Sequence, residues 1–272
     1  MVGSQNGFRI YTVGTGNPEV LHHCERDLNG GIGIAEMVNK TNIMALVGGG
    51  DSPKWPTNKL MIWDDLKQKV IGELSFSAQI KTVKINEEIL VVVLYSKTYI
   101  FNFLDLTLID CLDTCDNPTG ICEIAIATSR FQRQNPDEQA AYPKQEPMGY
   151  SSQNRRCTVM ASLALAKGHV RLRKMLDNSN EYVVPCHNEQ ISAMCLSDSG
   201  EYLATVCENG QYIRLWGWSE SPEGEMEPPT SLYMFDINPR NGPGLVIDLQ
   251  LTRDMSGIAA SILKNVPSTS ST

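Results

Sequence analysis

The sequence predicts an all-β chain assembled from a repeated unit of four short strands, and three observations carry that prediction. Apolar runs of strand length recur between turns rich in Gly, Pro, Asn and Asp, with almost no helical period in any of them. The runs group into units of roughly forty residues. One stretch, ALVGGGDSPKWPTNKLMIWDD at 45–65, shows the centre of a unit: a strand at 44–47, three glycines, a stiff turn with Pro53 and Pro56, and a second strand at 60–63 closed by Asp64 and Asp65. Four-stranded repeats of this length, with a Trp-Asp pair ending a strand, indicate a WD40-like β-propeller.

Taken in order, residues 1–29 supply the latter half of a unit, a third strand at 7–11 and a fourth at 19–24. The next unit has strands at 31–37, 43–47, 60–63 and 69–76, and the one after it at 80–85, 89–95, 98–103 and 107–112. A third opens at 121–127, is interrupted by the polar, Pro-bearing stretch 129–156, and resumes at 158–163, 169–174 and 181–185. The long interruption reads as an exposed loop. The fourth unit runs through 191–196, 202–207 and 212–216, with Asn209-Gly210 as its hairpin signal, then a second polar insertion at 219–230 and a strand at 232–237. Strands at 245–251 and 257–263 begin a last unit, and the small polar tail 267–272 is expected to be disordered. The propeller domain is therefore expected over 1–266, with 129–156 and 219–230 as exposed insertions. Pairing the two terminal halves into one blade would hide their sheet edges and close a five-bladed ring.

Of the 272 residues, 42% are apolar and 20% charged, enough to bury a core and too apolar for general disorder. A formal net charge of -8 argues against general nucleic-acid binding and broad adsorption to anionic membranes, while leaving room for a local basic pocket. The chain shows no basic-then-apolar leader and no run of about eighteen apolar residues, so the expectation is a soluble cytoplasmic protein. Its eight cysteines form no CxxC pair and carry no histidine at metal-ligand spacing. Reduced thiols packing as small hydrophobes are expected, with no metal and no cofactor. No nucleophile has a recognisable base, so no enzyme is expected. Asp64-Asp65 has no cleft partner and reads as a structural element of the Trp-Asp turn, with Trp63 and Trp216 packing between blades. The glycines at 48–50 lead into no helix and no Gly-Lys-Ser/Thr, which argues against a nucleotide loop.

The string VGGGDSPKWPTNKLMIWDD closely resembles the signature of the PROPPIN family, the WIPI-type propellers that bind phosphoinositides. GFRIYTV at 7–13, GGIGIAEM at 30–37, DNPTGIC at 116–122 and HNEQISAMCLSDSGEYLAT at 187–205 agree with it, so the match covers most of 7–216. The resemblance implies a seven-bladed propeller of which this chain holds about five blades' worth. A shrunken ring and an incomplete gene product are both open. It also implies a non-enzymatic cytoplasmic protein that binds phosphatidylinositol 3-phosphate, and the 3,5-bisphosphate, on autophagosome-precursor or endosomal membranes. Such a protein would recruit autophagy lipid-transfer or conjugation machinery. The alternative is a protein-interaction scaffold that has lost phosphoinositide binding.

In the family, two phosphoinositide sites flank a Leu/Phe-Arg-Arg-Gly motif, whose paired guanidinium forks suit a phosphomonoester. At the matching place this chain reads Phe235-Asp236-Ile237-Asn238-Pro239-Arg240-Asn241-Gly242, so Arg240 and Gly242 alone align. In the preceding hairpin, Cys207, Asn209 and Gln211 stand where family members have serine, lysine and threonine. The phosphoinositide-binding residues that the resemblance leaves are His187, Thr205, Arg214 and Arg240. Each has a plainer reading: His187 as a solvated turn residue, Arg214 as a surface charge on an alternating strand. His169, Arg171 and Arg173 share one strand face, with Lys174 adding charge; a membrane-facing basic patch and a solvated outer strand are both open.

Overall fold

The computed structural model describes residues 1–13, 20–128, 156–175, 181–210, 212–219 and 226–236. All of its regular elements are strands, arranged in antiparallel sheets. The chain divides into two compact units, Met1–Glu123 with Ser162–His169, and Ile124–Ala161 with Val170–Thr272.

The first unit begins with a three-stranded sheet of β1 (Val2–Ser4), β2 (Gly7–Val13) and β3 (Val20–Asp27), in that order. Two strands are expected here; Val2–Ser4 adds a third by pairing with β2, from Ser4↔Gly7 to Val2↔Arg9. Two four-stranded sheets follow in sequential order. One comprises β4 (Ile32–Met37), β5 (Ile43–Gly48), β6 (Lys59–Asp64) and β7 (Lys69–Ser75). The other comprises β8 (Thr82–Ile85), β9 (Ile89–Val93), β10 (Lys97–Asn102) and β11 (Leu108–Asp113). Strand β8 starts two residues later than expected, because the Ile80 amide leaves the ladder to donate to the Thr57 carbonyl. The second unit holds most of the sheet of β12 (Cys122–Thr128), β13 (Arg156–Leu163), β14 (His169–Lys174) and β15 (Glu181–Pro185). It also holds the sheet of β16 (Ile191–Leu196), β17 (Tyr202–Cys207), β18 (Tyr212–Gly217) and β19 (Thr230–Asp236).

Side-chain alternation explains why the middle strands are apolar throughout. Met44, Leu46, Met61 and Trp63 face Phe8 and Ile10 of the first sheet. Their sequence neighbours Ala45, Val47, Leu60 and Ile62 face Val83, Leu90, Val92 and Phe101 of the third. Sheets of the first unit thus stack face to face, and a one-residue slip of β5 or β6 would exchange two finished interfaces. Leu90 is fully buried, and truncating it to alanine is expected to cost about 2–5 kcal/mol. Trp63 packs between sheets as expected.

The glycine-rich stretch works by close approach of backbones. Added to Gly48, a Cβ would stand 1.8 Å from the Trp55 carbonyl oxygen, and at Gly31 one would stand 2.1 Å from that of Gly49. The Gly31 carbonyl accepts from both Gly49 and Lys54 amides, folding the Pro53–Pro56 turn back onto the inner strand. The two aspartates beyond Trp63 divide the structural work. Asp64 Oδ1 accepts from Asn42 at 2.6 Å and from the Leu66 and Lys67 amides, closing the β6–β7 turn. Asp65 receives both arms of Arg26, Nε at 2.7 Å and Nη2 at 2.9 Å, together with the Trp63 indole N–H at 3.3 Å.

Several expected features lie outside the described residues: the strands at 245–251 and 257–263 with the blade they would complete, the tail, Arg240, and the long insertion up to residue 155. Of the 219–230 insertion, Met226 is buried and its carbonyl accepts the Tyr182 hydroxyl at 2.8 Å, while Thr230 already opens β19. Glu227, Pro228 and Thr230 are exposed, and residues 220–225 lie outside the described residues.

Candidate anion-binding site

The candidate site is built on the β16–β19 sheet and the connection that enters it. In β17 and β18 the residues Ala204, Val206, Ile213 and Leu215 pack with Ala193 into one apolar cluster. Alternation then sends Thr205 and Arg214 to the other face, and the ladder sets them directly opposite each other. The hairpin joining them turns at Glu208-Asn209-Gly210, where Gly210 takes φ 61° and donates to the Cys207 carbonyl at 2.9 Å. That turn needs a residue tolerant of the left-handed region, which Asn-Gly supplies.

His187 comes from the β15–β16 connection, and its Nε2 lies 3.0 Å from Thr205 Oγ1. The Thr205 hydroxyl in turn donates to the Arg214 carbonyl at 3.4 Å. Arg214 Nη1 donates to the Cys186 carbonyl at 2.6 Å, so the guanidinium lies across the start of the same connection. His187 is 6% exposed and Thr205 is fully buried. Arg214 is half-buried, and its Nε, buried, has no hydrogen-bond partner. Burial holds the His187 imidazole below its usual value; a hydrogen bond to the Thr205 main chain opposes that shift and the Arg214 charge adds to it. The Cys186 thiol is pushed up to about 12, chiefly by burial.

Three of the four residues named from sequence therefore converge, and Arg240 lies outside the described residues. His187 is not a solvated turn residue, since it is buried against Thr205, and Arg214 is not a free surface charge, since its guanidinium is anchored to a main-chain carbonyl. Sequence reasoning overlooked Cys186, whose carbonyl accepts from Arg214 and whose thiol is hydrogen-bonded to the Thr205 side chain. The basic strand is also resolved differently from expectation. Lys174 points away from His169, Arg171 and Arg173 and is buried, while Arg171 is only 16% exposed and ion-paired with Glu181 at 2.9 Å. Strand β14 lies third in its sheet, so this face is neither an outer solvated face nor an open cationic patch. Among the described residues, no group of three or more His, Cys, Asp or Glu side chains is placed to hold a metal ion.

A chemical summary of the site is a half-buried guanidinium beside a buried neutral imidazole, fixed by main-chain and hydroxyl contacts that consume no charge. Such an arrangement suits a compact anion with several acceptor oxygens. The antiparallel four-stranded sheets define the class as a β-propeller.

No known family profile matches the chain. It is 31% identical over 219 residues to SVP1-like protein 2 of Neurospora crassa, covering 80% of this chain and 43% of the relative. Autophagy-related protein 18 of Yarrowia lipolytica is 28% identical over 221 residues, covering 79% of this chain and 51% of the relative. The solved structure of Kluyveromyces lactis Hsv2 superposes with a TM-score of 0.58 at 19% identity, over 86% of this chain and 58% of that one. The chain belongs to the PROPPIN family and has its β-propeller fold. It spans about half the length of the curated relatives it matches.

Proposed function

We propose that the chain acts in autophagy as a non-enzymatic phosphoinositide-binding propeller, using Arg214 and His187 at the β17–β18 notch to meet the phosphomonoester of phosphatidylinositol 3-phosphate, with the 3,5-bisphosphate as a second ligand. The observation that carries this reading is the state of Arg214. Its guanidinium is anchored by a carbonyl, which neutralises none of its charge, and the described residues give it no carboxylate. A phosphate dianion at that point gains charge-assisted hydrogen bonds from a donor that is already oriented. Thr205 holds the ring of His187, and Arg240 would add a second guanidinium from the stretch that aligns with the family's arginine pair. In this reading the protein associates peripherally with autophagosome-precursor or endosomal membranes and recruits lipid-transfer or conjugation proteins there.

Flotation of the full chain on phosphatidylcholine vesicles, with and without phosphatidylinositol 3-phosphate, tests it. The expected result is association that depends on the headgroup and is lost in Arg214→Ala. Association indifferent to the headgroup, or none, overturns the reading. One observation favours the scaffold alternative: Cys207 and Asn209 occupy the hairpin where the family carries serine and lysine, and Cys207 is buried. The same assay decides between the two.

A further inference from the structure

The family resemblance implies that Thr205 binds phosphate, yet its place in the structure suits another role. The residue has no exposed surface, and its hydroxyl lies 3.0 Å from His187 Nε2 and 3.4 Å from the Arg214 carbonyl, with the Cys186 thiol as a third partner. A hydroxyl has one proton and two lone pairs, so three contacts exhaust it, whichever of them takes the proton. Cys186 is equally buried, and its thiol meets both the Thr205 hydroxyl and the Val170 main chain of β14.

These contacts close a circuit around Arg214. Register sets Arg214 directly opposite Thr205, whose hydroxyl reaches the Arg214 main chain. At the far end of the side chain Nη1 donates to the Cys186 carbonyl at 2.6 Å, and Cys186 is tied back to Thr205 through its thiol. Among the described residues that carbonyl is the one hydrogen-bond acceptor the guanidinium has, since Nε is buried without a partner. Where the guanidinium stands therefore depends on where the Cys186 carbonyl stands. A loose arginine gives up rotamer freedom when it grips an anion, and one held beforehand gives up less.

We propose that Thr205 and Cys186 are a positioning pair: neither touches the anion, and together they fix the carbonyl that orients the Arg214 guanidinium for phosphate. The inference rests on the phosphoinositide reading above. Binding then depends on the Thr205 hydroxyl through Arg214, and has no separate dependence on Thr205 itself.

Calorimetric titration of the full chain with inositol 1,3-bisphosphate tests this, with urea denaturation run on every variant. Thr205→Val keeps the shape of the side chain and removes the hydroxyl, so affinity should fall roughly fivefold. Thr205→Ser restores the hydroxyl and should bind within about twofold of the native chain. Cys186→Ala keeps the carbonyl and drops the thiol, and should weaken binding by roughly two- to threefold. In an Arg214→Lys background the ammonium has no planar fork to orient, and the valine substitution should make no further difference. An equal fall in that background would mean that Thr205 meets the anion itself, and overturns the proposal. Native affinity in Thr205→Val also overturns it, whatever the loss of stability, as does a serine variant as weak as the valine one. Should Thr205→Val fail to fold, Cys186→Ala decides by the same comparison, alone and in the Arg214→Lys background. Each of these outcomes leaves the phosphoinositide reading intact. A native chain that binds neither the headgroup nor phosphatidylcholine vesicles carrying phosphatidylinositol 3-phosphate overturns both.

Discussion

Two arginines in this chain sit on strands and reach across to a neighbouring segment, yet the two regions use them in opposite ways. In the first unit Arg26 places two nitrogens on the carboxylate of Asp65, which also takes the Trp63 indole hydrogen. Its charge is answered from inside the fold. Lys84 follows the same pattern, with both Glu123 oxygens at 3.1 Å. In the second unit Arg214 has a carbonyl where Arg26 has a carboxylate, and the titratable neighbour is a neutral histidine. An arginine paired with a carboxylate is part of the scaffold. One held by a carbonyl is oriented while its charge remains available, which is the condition an anion site requires.

The largest expected effect comes from breaking the closed pair. Asp65→Ala leaves Arg26 and the Trp63 N–H without their acceptor and should lower unfolding stability by roughly 2–4 kcal/mol, as read from urea denaturation. The Arg26 guanidinium holds the Asp65 carboxyl below the usual carboxylate range, with the Trp63 bond helping. Its contribution is therefore complete above the unfolded pKa of about 3.9 and disappears as pH falls through the lower folded value. The native chain and the variant should converge in stability at strongly acid pH, and an unchanged gap would show that the loss is one of packing.

Arg214→Ala should do the reverse, with little loss of stability and a large loss of binding. Removing a charged donor from a phosphate contact typically costs about 1.5–3 kcal/mol, or roughly 10- to 150-fold in vesicle affinity. Loss of stability without loss of binding would make Arg214 a second Arg26.

How far this contrast can be read from sequence depends on which signals are local. The strand pattern was legible almost throughout, because two-sided burial makes 44–47 and 89–93 apolar at every position and turn residues bound them. Val2–Ser4 was missed, because three residues carry no period. Thr205 and Arg214 come together through hairpin register, which Asn209-Gly210 announces. The Arg26–Asp65 pair spans 39 residues between separate sheets and has no sequence signal. Cys186 enters the cluster through its carbonyl and its thiol, and neither contact has a local sequence signal.

A smaller effect is expected at Lys84, the ammonium facing Glu123 and, more weakly, Glu36. Burial raises both carboxyl groups above their ordinary values, and Lys84 opposes the rise. A raised carboxyl pKa means that the folded state binds the proton more tightly than the unfolded state, so ionisation costs stability as pH climbs through that interval. Lys84→Met should therefore destabilise by about 1–2 kcal/mol at pH 7, with the deficit shrinking toward pH 5 as a carboxyl takes up a proton. Denaturation midpoints at the two pH values measure it. A deficit independent of pH would mean that the lysine stem, and not its charge, matters.

The smallest effect sharpens the comparison from the other side, by adding charge to the open region. Asn209 is exposed at the tip of the β17–β18 turn, where the family carries a lysine. Asn209→Lys puts a second cation next to Arg214 without touching the core, and each cation near an anionic surface is worth about 1 kcal/mol. Vesicle association should tighten by roughly fivefold, only when phosphatidylinositol 3-phosphate is present, and the gain should shrink as salt is raised. A gain of the same size on vesicles carrying other anionic lipids would show general adsorption and would deny the notch any role in choosing its ligand. If Asn209→Lys together with Arg214→Ala retains the gain, the new charge acts alone; if the gain vanishes, the lysine and Arg214 grip the same phosphate.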